Sequence, residues 1–155
     1  MRSYPGSRRN PQFNREAMEQ WVPTAGLEYA WLRPLGGRRP PRDGSRHVAL
    51  RNDAFRAYAD HMESPEFAAG VSELLARVEG RSTAVMCSEA VWWRCHRRLL
   101  ADHLTLVRGV EVTHLMHDGR RVPHAVTAGA RLAGDAVVYD VGVSVPLPEL
   151  GDSYD

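Results

Sequence analysis

Apolar residues recur along this chain at two spacings. Phe67, Val71, Leu74, Leu75 and Val78 fall on one face at helical period. Ser64 stands before them as an N-cap, Pro65 takes the first helical position, Glu66 faces the positive end of the dipole, and Gly80 stops the run. A second helix is predicted over residues 14–22, closed by Pro23, and a short one over residues 53–61, capped by Asp53. A fourth runs over residues 92–106, with Gly109 just beyond it. Compact apolar runs at 27–31, 83–86, 110–115 and 137–139 read as strands, and Asp118-Gly119 as a turn.

The middle of the chain therefore reads helix, strand, helix, strand at βαβ spacing. That pattern predicts an α/β fold, a parallel sheet between helical layers in a three-layer sandwich. In such sheets ligands sit beyond the carboxyl ends of the strands. For the run at 83–86 that end is Cys87-Ser88-Glu89. The turn-rich stretch 34–46 reads as a long loop, and long loops in compact domains are commonly functional. Residues 1–145 are expected to form one domain, with 146–155 as a flexible tail.

Composition adds exclusions rather than a function. At 155 residues, 43% hydrophobic and 25% charged, the chain suits one domain with a real core, not a disordered segment. No apolar run approaches a membrane span, and the first residues lack the apolar core of a secretory signal. Two cysteines are no disulfide framework, so a cytoplasmic location is expected. All twenty basic residues are Arg. Residues 1–51 hold ten Arg against four acids, and residues 52–155 hold ten against fifteen. The overall charge of +1 argues against a surface built for nucleic acid, although Arg38, Arg39, Arg42 and Arg46 keep a nucleic-acid module open as a rival. Arg forks also suit a local phosphate or carboxylate site.

The densest chemistry lies between Cys87 and Arg97. Cys95, His96 and Arg97 are expected in the first turns of the helix that follows Cys87. A thiol near a helix start and near Arg or His is a candidate nucleophile, and the same helix end offers N–H groups to an anion. Four readings stand side by side. The thiols can be buried packing groups, the centre of a thiol enzyme, part of an anion pocket, or ligands of a metal or haem together with His96, His114 or His117. The strand–Cys–loop–Arg order is similar in outline to cysteine phosphatases and rhodaneses. Here, however, the interval from Cys87 to Arg94 is one residue longer than the phosphatase loop and lacks its glycine. Trp92 and Trp93 face different directions, one toward the core and one toward a pocket or partner.

The pattern Cys87-x-Glu89 with Cys95-His96-Arg97 and Leu99-Leu100-Ala101-Asp102 resembles the family known as domain of unknown function 488. The opening Arg2-Ser3-Tyr4-Pro5-x-Ser7-Arg8-x-Asn10-Pro11-x-Phe13 fits as well, as do Leu35-Gly36-Gly37, Tyr58-Ala59, His114-Leu115 and Pro123-His124. The resemblance implies an α/β fold and directs attention to these residues, without supplying a reaction. It also implies a strand and a helix ahead of Met1-Arg2, so the sheet is expected to be incomplete at the N-terminus. By the same resemblance, Arg2, Ser7, Arg8 and Phe13 follow a sheet strand, and Arg2 and Arg8 are expected to face Cys87, Glu89 and the Cys95-His96-Arg97 helix start across one cleft.

The expected function is thus binding of a small phosphate- or carboxylate-bearing ligand. Arg2, Ser7, Arg8, Cys95 and Arg97 are the candidate ligand-binding residues. Cys87 is the candidate reactive thiol, with Glu89 or His96 moving protons. A metal or haem protein, and a partner-binding subunit without catalysis, remain alternatives.

Overall fold

The computed structural model describes residues 6–142, and Arg2 and the tail 146–155 lie outside them. Four α-helices lead: α1 (Arg15–Thr24), α2 (Asp53–His61), α3 (Pro65–Val78) and α4 (Arg97–Leu106). Four short strands follow: β1 (Thr113–Leu115), β2 (Arg121–Pro123), β3 (Ala130–Ala133) and β4 (Ala136–Tyr139). The class is mixed α/β. None of these helices is long and apolar enough to cross a membrane.

Local signals account for the helix starts. Ser64 Oγ accepts from the Phe67 N–H at 3.2 Å and Pro65 opens α3, which buries Phe67, Val71 and Leu74. The cap of α2 is Asn52 rather than Asp53. The Asn52 side chain accepts from Ala54 and Phe55, while Asp53 sits in the first turn and pairs with Arg56. Helix α1 carries Pro23 inside its last turn instead of stopping before it.

Helix α4 starts later than expected. Residues 92–94 form a separate 3-10 turn, Cys95 is extended, and His96 is the N-cap. From Leu99 to Leu104 every residue of α4 is buried, as for a helix covered on all sides. It packs against α2 and the β3–β4 hairpin, and the core gathers Leu35, Tyr58, Phe67, Leu99, Leu100 and Tyr139 around it.

The parallel sandwich is not formed among the described residues. Both sheets are two-stranded and antiparallel, β1 with β2 and β3 with β4. Only five residues, 116–120, join β1 to β2, and a parallel return needs a dozen or more. The Asp118-Gly119 turn therefore folds the chain straight back. In the second hairpin Gly134 (φ +64°) and Asp135 form a two-residue turn of the kind that matches strand twist. Residues 83–86 lead into Cys87 without regular secondary structure or a sheet partner among the described residues, and residues 27–31 are also irregular. The loop after Leu35 is fastened. Arg39 donates to the carbonyls of Arg33, Pro34 and Gly36 and pairs with Glu66, while Arg46 pairs with Glu63.

Candidate functional site

Cys87, Cys95 and His96 converge, although seven residues separate the two cysteines. Their two sulfurs and one imidazole nitrogen lie within 4.8 Å of one another. His96 Nδ1 is 3.5 Å from Cys95 Sγ and 3.9 Å from Cys87 Sγ. Both thiols are free, Cys87 half-buried and Cys95 1% exposed. Arg97 directs its backbone N–H and its Nε–H at Cys95 Sγ, at 3.5 and 3.4 Å, and donates from Nη2 to the Glu89 carbonyl at 2.6 Å. The late start of α4 makes this possible. Extended Cys95 turns its sulfur back toward the loop, and Arg97 arrives as the first residue of the helix.

The two thiols are not equivalent. Cys87 lies well below the ordinary thiol range, because the Cys95 thiol donates to it, with His96 and the Glu89 backbone N–H adding to that effect against burial. Cys95 is pushed up, first by holding its proton toward Cys87 and then by burial. The shifts run in opposite directions, down for the more accessible sulfur and up for the enclosed one.

His96 is seated by Gly37. A Cβ on Gly37 would stand 2.2 Å from His96 Nδ1, so the ring lies directly on the glycine backbone. Tyr58 also meets the ring in an edge arrangement, with centroids 4.9 Å apart. His96 Nε2 is buried without a hydrogen-bond partner among the described residues.

Cys87 also lines a cavity of about 190 Å³ with Ser7, Asn10, Phe13, Met86 and Ser88. Ser7 and Phe13 thus share a cavity wall with Cys87. Ser7 Oγ accepts from the Asn10 N–H and the Ser7 N–H donates to Asn14, which folds the 7–14 segment against this wall. Arg8 is exposed beside Ser7 and does not line the cavity. Arg97 is committed to Cys95 and Glu89. The Glu89 carboxylate makes no hydrogen bond or ion pair among the described residues, so Glu89 contributes through its backbone. A larger hollow of about 380 Å³ between residues 41–45 and α2 mixes Arg42 and Arg56 with Asp43, Asp53 and Asp60 and holds no thiol.

For a metal, Cys87, Cys95 and His96 are the three available donors, and no fourth Cys, His, Asp or Glu joins them among the described residues. A closed structural zinc site takes four ligands. His114 and His117 are not part of the cluster.

His114 belongs to a second assembly instead, one that sequence reasoning missed as a unit. Buried Asp102 on α4 accepts from His124 Nε2–H at 2.8 Å and the Thr127 N–H at 2.9 Å on one oxygen, and from the Tyr139 hydroxyl at 2.9 Å on the other. His124 Nδ1 is 2.9 Å from His114 Nε2. With His124 Nε2–H given to the carboxylate, the remaining hydrogen bond runs between His124 Nδ1 and His114 Nε2, and the tautomers set which nitrogen donates. Trp92 stacks on His114 at 3.7 Å, nearly parallel, and Trp93 is exposed against the Trp92 edge. Burial, with the nearby His124 and Arg97 charges, lowers His114 to about 4. The available signal was Asp102 itself, a carboxylate inside the apolar run of α4.

The family model for the domain of unknown function DUF488 matches residues 1–104. The chain belongs to this family. No curated protein and no solved structure matches it. The matched residues contain the whole Cys87–Cys95–His96 cluster and the Ser7 wall of the cavity. Of the second assembly they contain Trp92, Trp93 and Asp102 but not His114, His124, Thr127 or Tyr139.

Proposed function

We propose that this DUF488 chain is a thiol-dependent protein. In it Cys87 acts as a nucleophile on a small ligand held in the cavity shared with Ser7. The observation that carries it is the placement of the half-buried Cys87 sulfur on that cavity wall with His96 Nδ1 at 3.9 Å and the Cys95 thiol beside it. A thiolate is the reactive form of cysteine, and hydrogen bonds to sulfur hold Cys87 in that form. A cavity of this size takes a small molecule rather than a polypeptide. The proposed ligand bears a carboxylate or phosphate, for which Arg8, the exposed neighbour of Ser7 in the chain, is the candidate fork. His96 holds or returns a proton at Nδ1.

Alkylation followed by intact-mass and peptide analysis tests this. Cys87 is expected to react at pH values well below those at which an ordinary thiol ionises, while Cys95 stays unmodified, and Cys87→Ser removes the reaction. Iodoacetate is expected to gain on iodoacetamide in the wild type and to lose that advantage in Arg8→Ala. If the two cysteines react together with an ordinary thiol pH profile, Cys87 is not an activated nucleophile. An unchanged reagent ratio in Arg8→Ala removes Arg8 from the site.

A further inference from the structure

We propose that Cys95 is the resolving thiol for Cys87, so that the pair reduces a small disulfide by thiol–disulfide exchange. The proposal deepens the nucleophile assignment above and rests on it.

Three features set this pair apart from two packed cysteines. The sulfurs differ in access, Cys87 facing the cavity and Cys95 1% exposed, which suits attack by one and resolution by the other. The chain between them is a loop with a single 3-10 turn at residues 92–94, outside any sheet. Its ends can therefore close the remaining gap to the S–S bond length of about 2 Å. Finally, Cys95 Sγ receives two N–H groups from Arg97 and lies 3.5 Å from His96 Nδ1. Two donors on a sulfur that rests as a thiol favour the thiolate it must become before it can attack.

The exchange balances without another reagent. Cys87 thiolate attacks one sulfur of the substrate disulfide. The substrate S–S bond breaks, a first thiolate leaves, and a mixed disulfide forms on Cys87. The Cys95 thiol gives its proton to the first thiolate as that product leaves, and the Cys95 sulfur attacks Cys87 Sγ. The mixed disulfide breaks and the second product leaves as a thiolate. The protein dithiol is oxidised by two electrons and the substrate is reduced to two thiols.

The test uses the full chain, reduced and treated with a chelator, and exposed to dithiodiglycolate or to neutral hydroxyethyl disulfide. Intact mass is followed under non-reducing conditions after acid quenching. The wild type is expected to become lighter by two hydrogen atoms through a Cys87–Cys95 disulfide. Cys95→Ser is expected to stop at one mixed-disulfide adduct per chain, located on Cys87, and Cys87→Ser to remain unmodified. Should Cys95→Ser fail to fold, an early quench of the wild type is expected to catch the adduct before the internal disulfide replaces it. A wild type that stops at the single adduct overturns the role of Cys95 and leaves Cys87 as a nucleophile. A wild type that does not react, or a Cys87→Ser chain that reacts equally well, overturns both.

Discussion

Replacing Gly37 by Ala tests the seat of His96 directly. The added methyl stands 2.2 Å from Nδ1, 2.5 Å from Cγ and 2.7 Å from Cε1. Bringing 2.2 Å out to the 3.4 Å at which ordinary contact begins moves the ring by about 1.2 Å. The ring has little room, since His96 is 9% exposed and Tyr58 abuts it. Overpacking of this kind costs about 1–3 kcal/mol. At about 2–4 °C per kcal/mol for a chain of this length, the melting temperature falls by about 2–12 °C. The displaced Nδ1 no longer supports the Cys87 sulfur, so the pH midpoint of Cys87 alkylation rises. A double-mutant cycle with His96→Ala isolates the cause, because removing the ring makes room for the methyl. In the His96→Ala background Gly37→Ala is expected to cost less than about 0.5 kcal/mol. An equal cost in both backgrounds, measured by urea denaturation, refutes the contact as the reason for glycine.

Asp102→Ala orphans the Tyr139 hydroxyl, the Thr127 N–H and His124 Nε2–H together, and is expected to cost about 3–5 kcal/mol in urea. Asp102→Asn keeps one acceptor oxygen and should cost less, with nitrogen NMR reporting loss of the His124 tautomer preference. Stability is expected to rise with pH between about 4 and about 6.5. Burial holds His103 and His114 near 4 in the folded chain, whereas unfolded histidines titrate near 6.5, so the unfolded state binds more protons across that window. Each group contributes a slope of at most about 1.4 kcal/mol per pH unit, lost as pH falls through the window, and His103→Gln should flatten the measured curve. Ser64→Ala removes the α3 cap and should cost about 1 kcal/mol, read as a melting shift of about 2–4 °C.

Much of the helical framework was legible because its signals are local. Ser64-Pro65 and the spacing of Phe67, Val71 and Leu74 mark α3 before any neighbour is considered. Sheet pairing is not local. The runs at 83–86 and 110–115 have the composition of buried parallel strands, yet the partner of β1 was decided by the Asp118-Gly119 turn five residues wide. Strand β2 ends at Pro123 and β3 carries Arg131, so neither announces itself by apolar alternation. The site divides in the same way. Cys87, Cys95, His96 and Arg97 were visible as a run of reactive types, and Ser7 as a companion from the other end of the matched region. What the sequence could not display was the division of labour, since it depends on burial and on which backbone N–H points at which sulfur. Glu89 meets Arg97 through its backbone carbonyl while its exposed carboxylate has no partner among the described residues, and Arg97, bound to Cys95 and Glu89, is not the open charge that its side chain suggests.

Helix α4 joins the two polar assemblies. Arg97 at its start faces the thiol pair, and Asp102 lies five residues on, about 7.5 Å along the axis. Trp92 completes a second link, because it belongs to the loop between the cysteines and stacks on His114. A change in the Asp102–His124–His114 chain therefore has two routes to Cys95, through the helix start and through the Trp92 stack. A chain of hydrogen bonds serving only to fasten β1 and β2 to α4 would stabilise the hairpin and leave the thiols alone. Trp92→Ala separates these cases, since it cuts the stack without touching a hydrogen bond to Asp102. If the second assembly supports the site, Cys87 alkylation slows in Trp92→Ala while the His124 tautomer preference persists. If alkylation is unchanged in a folded Trp92→Ala chain, the two assemblies act independently.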